Sequence, residues 1–258
     1  MNGEFSIQDI MAKPITIAKS AVITEALDKM LNEGTDPLIV TQGNVVAGTV
    51  SRKAIAEALG SKKNATISPS KIHVANVIEE EFTSAYPDQG LEVLIPLLQH
   101  YKLIVVLDKD HRLIGQVTAA NLLKVMVPQV PLTGVIEKVN SINADERVVH
   151  LRRRIIDDNE SRYVVTDSEG LIGMVTETDV ARSMREFREE IPDKHQDHRI
   201  RNLIVRDIMS SPLISVDAGV DTATVAQLLL ARSISAVPVV EGGRIAGVVT
   251  RRSLVNAL

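Results

Sequence analysis

Thr176 and Asp179 stand three residues apart, directly behind the apolar run Gly173-Met174-Val175. A threonine in that place can open a helix. Its hydroxyl and backbone N–H can then meet a phosphate or ribose oxygen, with the helix dipole behind them. An ionised carboxylate three residues on presents two acceptor oxygens, which suit the paired hydroxyls of a ribose. The same four residues, Thr176-Glu177-Thr178-Asp179, also read as a capping box with Asp in place of the usual Glu, which is a purely structural role.

The rest of the chain helps to weigh these readings, because the phrase recurs. Its other copies are Gly48-Thr49-Val50-Ser51, Gly115-Gln116-Val117-Thr118 and Gly247-Val248-Val249-Thr250. Every copy ends in Ser or Thr (Ser51, Thr118, Thr176, Thr250), and capping alone explains that. Three residues on stand Ala54, Asn121, Asp179 and Ser253. Capping therefore does not demand an acid, and the comparison favours a ligand role for Asp179. Asn121 keeps one acceptor for a weaker contact, Ser253 offers a single hydroxyl, and Ala54 offers nothing. The expectation is one strong site, one or two weak ones, and an empty or altered first site.

The elements around these phrases repeat as β-α-β-β-α. Repeat four is the clearest. Asp207-Ile208-Met209-Ser210-Ser211-Pro212 leads into a strand pattern at Leu213-Ile214-Ser215-Val216. Asp221 or Thr222 can cap a helix running to about Arg232, with Val225, Leu228 and Leu229 at helical spacing. A hairpin follows, Ala236 to Val240 and Ile245 to Val249, around the turn Glu241-Gly242-Gly243-Arg244. Repeat one opens alike with Asp9-Ile10-Met11 and Pro14. Repeat two is weaker at Val74-Ala75-Asn76-Val77. Repeat three is degenerate near Gly134-Val135-Ile136, with a helix expected from Asp145. The repeats span 1–60, 72–127, 132–188 and 203–258. Each is too small to bury a good core alone and would leave sheet edges in water. Pairing one with two and three with four solves both problems, which predicts an α/β (α+β) fold of two pseudo-twofold modules.

Composition excludes several functions. Of 258 residues, 45% are hydrophobic but only 2% aromatic, so the core must be Val, Ile, Leu and Ala. Stacking platforms for bases are nearly absent, and a net charge of −4 offers no attraction to a nucleic-acid backbone. No cysteine is present, which removes disulfides and thiolate chemistry. The start Met1-Asn2-Gly3-Glu4 lacks the apolar stretch of a signal peptide, and no run is long enough to span a bilayer. A cytoplasmic protein is expected. No P-loop and no nucleophile elbow appear, so catalysis is not expected. Gly60 to Lys71 reads as a linker, and the charge-dense Arg185 to Asn202 as either an extended, solvated helix end or a loose connection. His195-Gln196-Asp197-His198 in the latter lacks a convincing third ligand elsewhere, so no metal site is expected. Arg152-Arg153-Arg154 reads as a solvent-facing stripe.

The phrases Asp207-Ile208-Met209 with Pro212, Val237-Pro238-Val239, Gly247-Val248-Val249-Thr250, Asp9-Ile10-Met11 with Pro14, and Gly173 to Asp179 together resemble the CBS domain. Four copies imply two Bateman modules. The arrangement is similar to archaeal stand-alone four-copy proteins and to the gamma subunit of AMP-activated protein kinase. The resemblance implies a regulatory, non-catalytic protein that takes an adenosine compound: AMP first, then ADP or ATP, or S-adenosylmethionine. It implies basic phosphate contacts at Arg162, before a second strand, and at Arg252 and Lys53, two residues after a cap. It implies an adenine wall at Ala236, Val237 and Pro238, to which Ile214 and Val216 can add. For the Val residues ordinary hairpin core is the competing reading; Tyr163 can stack on a base, but a half-buried strand Tyr is the favoured reading. The expected partners are the nucleotide, an unidentified regulated protein and a second copy in a homodimer, with neither nucleic acid nor membrane. The competing function is an interaction scaffold whose pockets are vestigial.

Overall fold

The computed structural model describes residues 5–60, 68–190 and 202–258. The expected connection at Gly60 to Lys71 lies partly, and His195-Gln196-Asp197-His198 wholly, outside the described residues. Four small three-stranded sheets carry the chain. They comprise β1 (Thr16–Ala18), β2 (Leu38–Gln42) and β3 (Val45–Val50); β4 (Ser84–Ala85), β5 (Leu103–Leu107) and β6 (Leu113–Thr118); β7 (Asn140–Asn143), β8 (Arg162–Asp167) and β9 (Gly170–Thr176); and β10 (Val216–Asp217), β11 (Ala236–Glu241) and β12 (Arg244–Thr250). In every sheet the second strand is central. The first strand pairs with it in parallel, across a helix-bearing crossover. In repeats one to three the third strand returns antiparallel.

The central strands are buried because they are Val/Ile/Leu runs covered on both faces. All five residues of β5 are buried, as are Leu38, Ile39 and Val40 of β2. Helices follow the first strands, Ile23–Asn32, Leu94–His100, Val148–Asp157 and Thr222–Ala231, and the third strands, Arg52–Gly60, Ala119–Leu122, Glu177–Glu190 and Arg251–Val255. Ala26 and Met30 on one helix stripe enter the repeat-one core. Ile39 of repeat one packs with Leu103, Val105 and Leu107 of repeat two, so these sheets share a core.

The recurrent glycine has a physical cause. In repeats one to three the hairpin register slips beside it, after Val40, Val106 and Val165, which face Gly48, Gly115 and Gly173. At each slip the opening segment of another repeat lies against the backbone. Thr49 and Glu79 exchange N–H···O bonds of 2.9 and 2.8 Å, and Glu137 and Val248 exchange bonds of 2.8 and 2.9 Å. Ala12 pairs with Gln116 and Ser210 with Met174 in the same manner. A side chain at the glycine would strike the crossing segment: Glu79 O at Gly48, Met11 Sδ at Gly115, Ser210 O at Gly173, Glu137 O at Gly247. Repeat one is thereby stitched to two, and repeat three to four.

The chain forms two compact units, Met1–Val135 with Gly219–Ala236 and Val249–Leu258, and Ile136–Ala218 with Val237–Val248. Repeat four contributes to both. In the first unit, Ile23, Met30 and Leu38 are fully buried; in the second, Leu151, Tyr163 and Val165 are.

Two boundaries differ from those read in the sequence. The repeat-three helix starts at Val148, not Asp145, because the Asn143 side chain accepts the Asp145 N–H at 2.9 Å and holds a turn there. The first strand of repeat four is only Val216–Asp217, so Ile214 precedes it. The Asp221 cap is as expected: its carboxylate accepts the Thr224 N–H at 2.7 Å, which holds its pKa below the usual carboxylate value. The stability it carries is present above the unfolded value near about pH 3.9 and is lost as pH falls through the lowered folded value. Asp221→Ala is therefore expected to lower the melting midpoint at neutral pH, with the two curves converging in acid. Thermal melts across pH check this.

Candidate functional site

Thr176 ends β9 and Asp179 lies in the first turn of the helix Glu177–Glu190. The backbone leaves the sheet extended and turns into helix there, which aims the Thr176 N–H at the carboxylate. Asp179 Oδ2 accepts the Thr176 N–H at 2.8 Å and its hydroxyl at 2.6 Å. The capping role is thus real. Oδ1 makes longer contacts, accepting the Ser210 hydroxyl at 3.3 Å and lying 3.5 Å from Arg182 Nη1. Asp179 is 7% exposed.

The other repeats show what the cap requires. Thr118 gives its N–H and hydroxyl to Asn121 Oδ1 at 2.9 and 2.8 Å, and the Asn121 amide donates to Ile10 O at 3.2 Å. Thr250 donates its N–H to Ser253 Oγ at 2.9 Å, and the Ser253 N–H returns to Thr250 Oγ1 at 2.8 Å. In repeat one only the Ala54 N–H to Ser51 Oγ remains, at 3.1 Å. An amide or a hydroxyl closes the turn as well as an acid does. Only Asp179 adds a negative charge with a second oxygen.

Arg162 stands directly across the hairpin from Thr176. Its guanidinium is half-buried and donates to Ser161 Oγ at 3.1 Å. Burial pushes its pKa down, while Glu137, Glu160 and Glu177 support its charge. A phosphate approaching Arg162 would meet those acids too, so this place tolerates little added negative charge.

Of the wall residues, Ile214 is 43% exposed, whereas Ala236, Val237 and Pro238 are buried, so these three can present only backbone edges and small faces. Val216 is half-buried. Tyr163 is wholly buried, its hydroxyl donating to Asp158 at 3.2 Å and Arg154 lying 4.8 Å above its ring. Burial and that neighbouring acid raise its pKa to about 12. It is a strand residue, as expected, but fully in the core where a half-buried Tyr was expected.

The other two basic residues expected at a phosphate, Arg252 and Lys53, lie in the first unit. Arg252 donates to Gln99 O, and Lys53 is half-exposed beside Glu57 at 3.9 Å. Arg182 and Ser210, which touch Asp179, were not among the site residues read from the sequence. The signal for Arg182 was its place three residues further along the same helix. Among the described residues no cluster of His, Cys, Asp or Glu could hold a metal ion, and no helix is long and apolar enough to cross a membrane.

Comparison with known proteins adds to this geometry. A family model for the CBS domain matches residues 7–61, 74–128, 132–186 and 205–258. An uncharacterized protein of Methanocaldococcus jannaschii, MJ1404, is 26% identical over 97% of this chain, which spans 61% of that relative's length. Among solved structures, protein MJ1225 of the same organism superposes with a TM-score of 0.82 at 20% identity, covering 97% of this chain and 98% of the other. MJ1225 is described as a candidate archaeal homolog of g-AMPK. An uncharacterized conserved protein from Pyrococcus horikoshii gives 0.65 at 19% identity, with coverages of 97% and 98%.

Proposed function

Because the chain belongs to the CBS domain family, with copies over most of its length, we propose that it is a non-catalytic regulatory protein that senses an adenine nucleotide through repeat three. The observation carrying this is the Asp179 carboxylate. It alone, of the four residues at that place, brings a charge and a spare oxygen that its cap does not need. Its Oδ1 takes a ribose hydroxyl in place of Ser210. The Thr176 corner and Arg162 receive the phosphate, and Ile214 with the Val237-Pro238 edge flanks the base. AMP fits better than ADP or ATP, because Arg162 stands among three acids, Glu137, Glu160 and Glu177. The description of MJ1225 as a candidate homolog of g-AMPK supports the same class of ligand.

Ligand in this place competes with the Ser210–Asp179 bond, and Ser210 belongs to the segment that opens repeat four. Binding thus favours one setting of that segment over another, a difference that a partner protein can read. One observation favours the rival scaffold reading, namely that Oδ2 is already fully used by the cap. Calorimetry and thermal melts with AMP, ADP, ATP and S-adenosylmethionine separate the two. At ligand about 100 times Kd a single site is expected to add about 2.7 kcal/mol. Absence of binding by all four compounds leaves the scaffold.

A further inference from the structure

Repeat one lacks the acid of the sensing turn, since Ala54 stands there, yet its helix mouth is not bare. The Asp36 carboxylate fills it. Asp36 Oδ1 accepts the Arg52 N–H at 2.9 Å, at the start of the helix Arg52–Gly60. Oδ2 takes the Lys102 ammonium at 2.9 Å and lies 3.7 Å from Arg52 Nη2. The carboxylate is 7% exposed and the Arg52 side chain 14%. Arg52 Nη1 reaches Thr35 O at 3.4 Å, and its Nε is buried with no acceptor. Two cations, one of them with an unmet donor, and a helix N-terminus therefore converge on a single negative charge.

Register shows that this arrangement is peculiar to repeat one. Leu38 faces Val50 as Tyr163 faces Val175, so Asp36 occupies the place of Ser161. In repeats three and four the N–H after the cap goes to a main-chain oxygen, Glu177 N to Ser161 O at 2.9 Å and Arg251 N to Ser235 O at 3.1 Å. In repeat one a side-chain anion has replaced that carbonyl. Ile104 faces Val117 in repeat two, which puts Lys102 in the corresponding place there. Asp36 and Lys102 are thus counterparts in paired repeats that neutralise each other.

We infer that Asp36 is a built-in anion: its carboxylate occupies an oxyanion site made by the Arg52 main chain, the Arg52 guanidinium and the Lys102 ammonium, and so excludes a phosphorylated ligand from repeat one. Asp36 is then a specificity-determining residue that gives the first pair of repeats a fixed, ligand-independent closure. The inference stands whether or not repeat three takes a nucleotide.

The test uses the full chain with inorganic phosphate, titrated at constant ionic strength balanced by chloride. Asp36→Ser supplies the residue that repeats three and four carry at this place. It is expected to melt lower than the wild type in chloride and to regain several degrees, saturably, as phosphate rises. That gain exceeds any wild-type response and is abolished in Asp36→Ser/Lys102→Gln. Asp36→Ala also vacates the place, and serves if the serine variant does not fold. Folded Asp36→Ser or Asp36→Ala protein with no phosphate response beyond that of the wild type overturns the inference, as does an undiminished response in the double variant.

Discussion

Asp179→Asn is expected to weaken AMP binding roughly 10- to 150-fold while leaving the melting midpoint close to that of the wild type. The loss corresponds to about 1.5–3 kcal/mol, the worth of hydrogen bonds to a charged group. The unchanged midpoint follows from repeat two, where Asn121 Oδ1 accepts both the N–H and the hydroxyl of Thr118 in the geometry Asp179 Oδ2 uses for Thr176. An asparagine therefore keeps the cap and gives up only charge and the second acceptor oxygen. Asp179→Ala removes the cap as well, and is expected to lose about 1 kcal/mol of stability in addition. Asp221→Ala, whose cap lies on another helix, should bind AMP like the wild type. Calorimetry of the three variants, with melts alongside, separates sensing from folding. An Asp179→Asn protein that binds AMP as tightly as the wild type would return Asp179 to a purely structural role.

What the sequence disclosed, and what it hid, follows from the range of the interactions concerned. The repeat order is local and was legible. The central strands are Val/Ile runs, Asp221 announces its helix, and each hairpin carries its own turn. The recurrent glycine was equally visible, but its cause was not. The segments that crowd Gly48 and Gly247 come from Glu79 and Glu137, far away in the chain. The first strand of repeat four read longer than it is because β-rich composition extends past the two residues, Val216 and Asp217, that pair with β11. Asn143 hid the start of its helix by bonding Asp145 N–H first. At the candidate site, Thr176 and Asp179 were singled out from their spacing, and Arg162, which the family resemblance had offered, stands across from Thr176. The Ser210 contact was out of reach, since it joins two repeats. Asp36 was missed for the same reason, because its partner Lys102 belongs to repeat two. Superposing the repeats on their hairpins would have exposed it, as an acid where the later copies have serine.

The largest effect on stability is expected at Gly48. Its φ is +148°, in a region that side chains rarely adopt, and an added Cβ would press on Glu79 O, a main-chain atom with little room to move. Glu79 is held there by the pair of hydrogen bonds it exchanges with Thr49, so relief of the clash breaks the stitch between repeats one and two. Backbone strain and overpacking each cost about 1–3 kcal/mol, so Gly48→Ala should lose about 2–6 kcal/mol in total. Gly134→Ala is the control: nothing lies within 4 Å of its Cβ position, and a change within about 0.5 kcal/mol is expected. Denaturant midpoints measure both. Gly247, with φ +154° and Glu137 O above it, repeats the arrangement in the other unit, and the same substitution there should cost a similar amount. A neutral Gly48→Ala would mean that the Glu79 crossing does not form in solution. The recurrent glycine would then need another cause, and the stitch between repeats one and two would lose its footing.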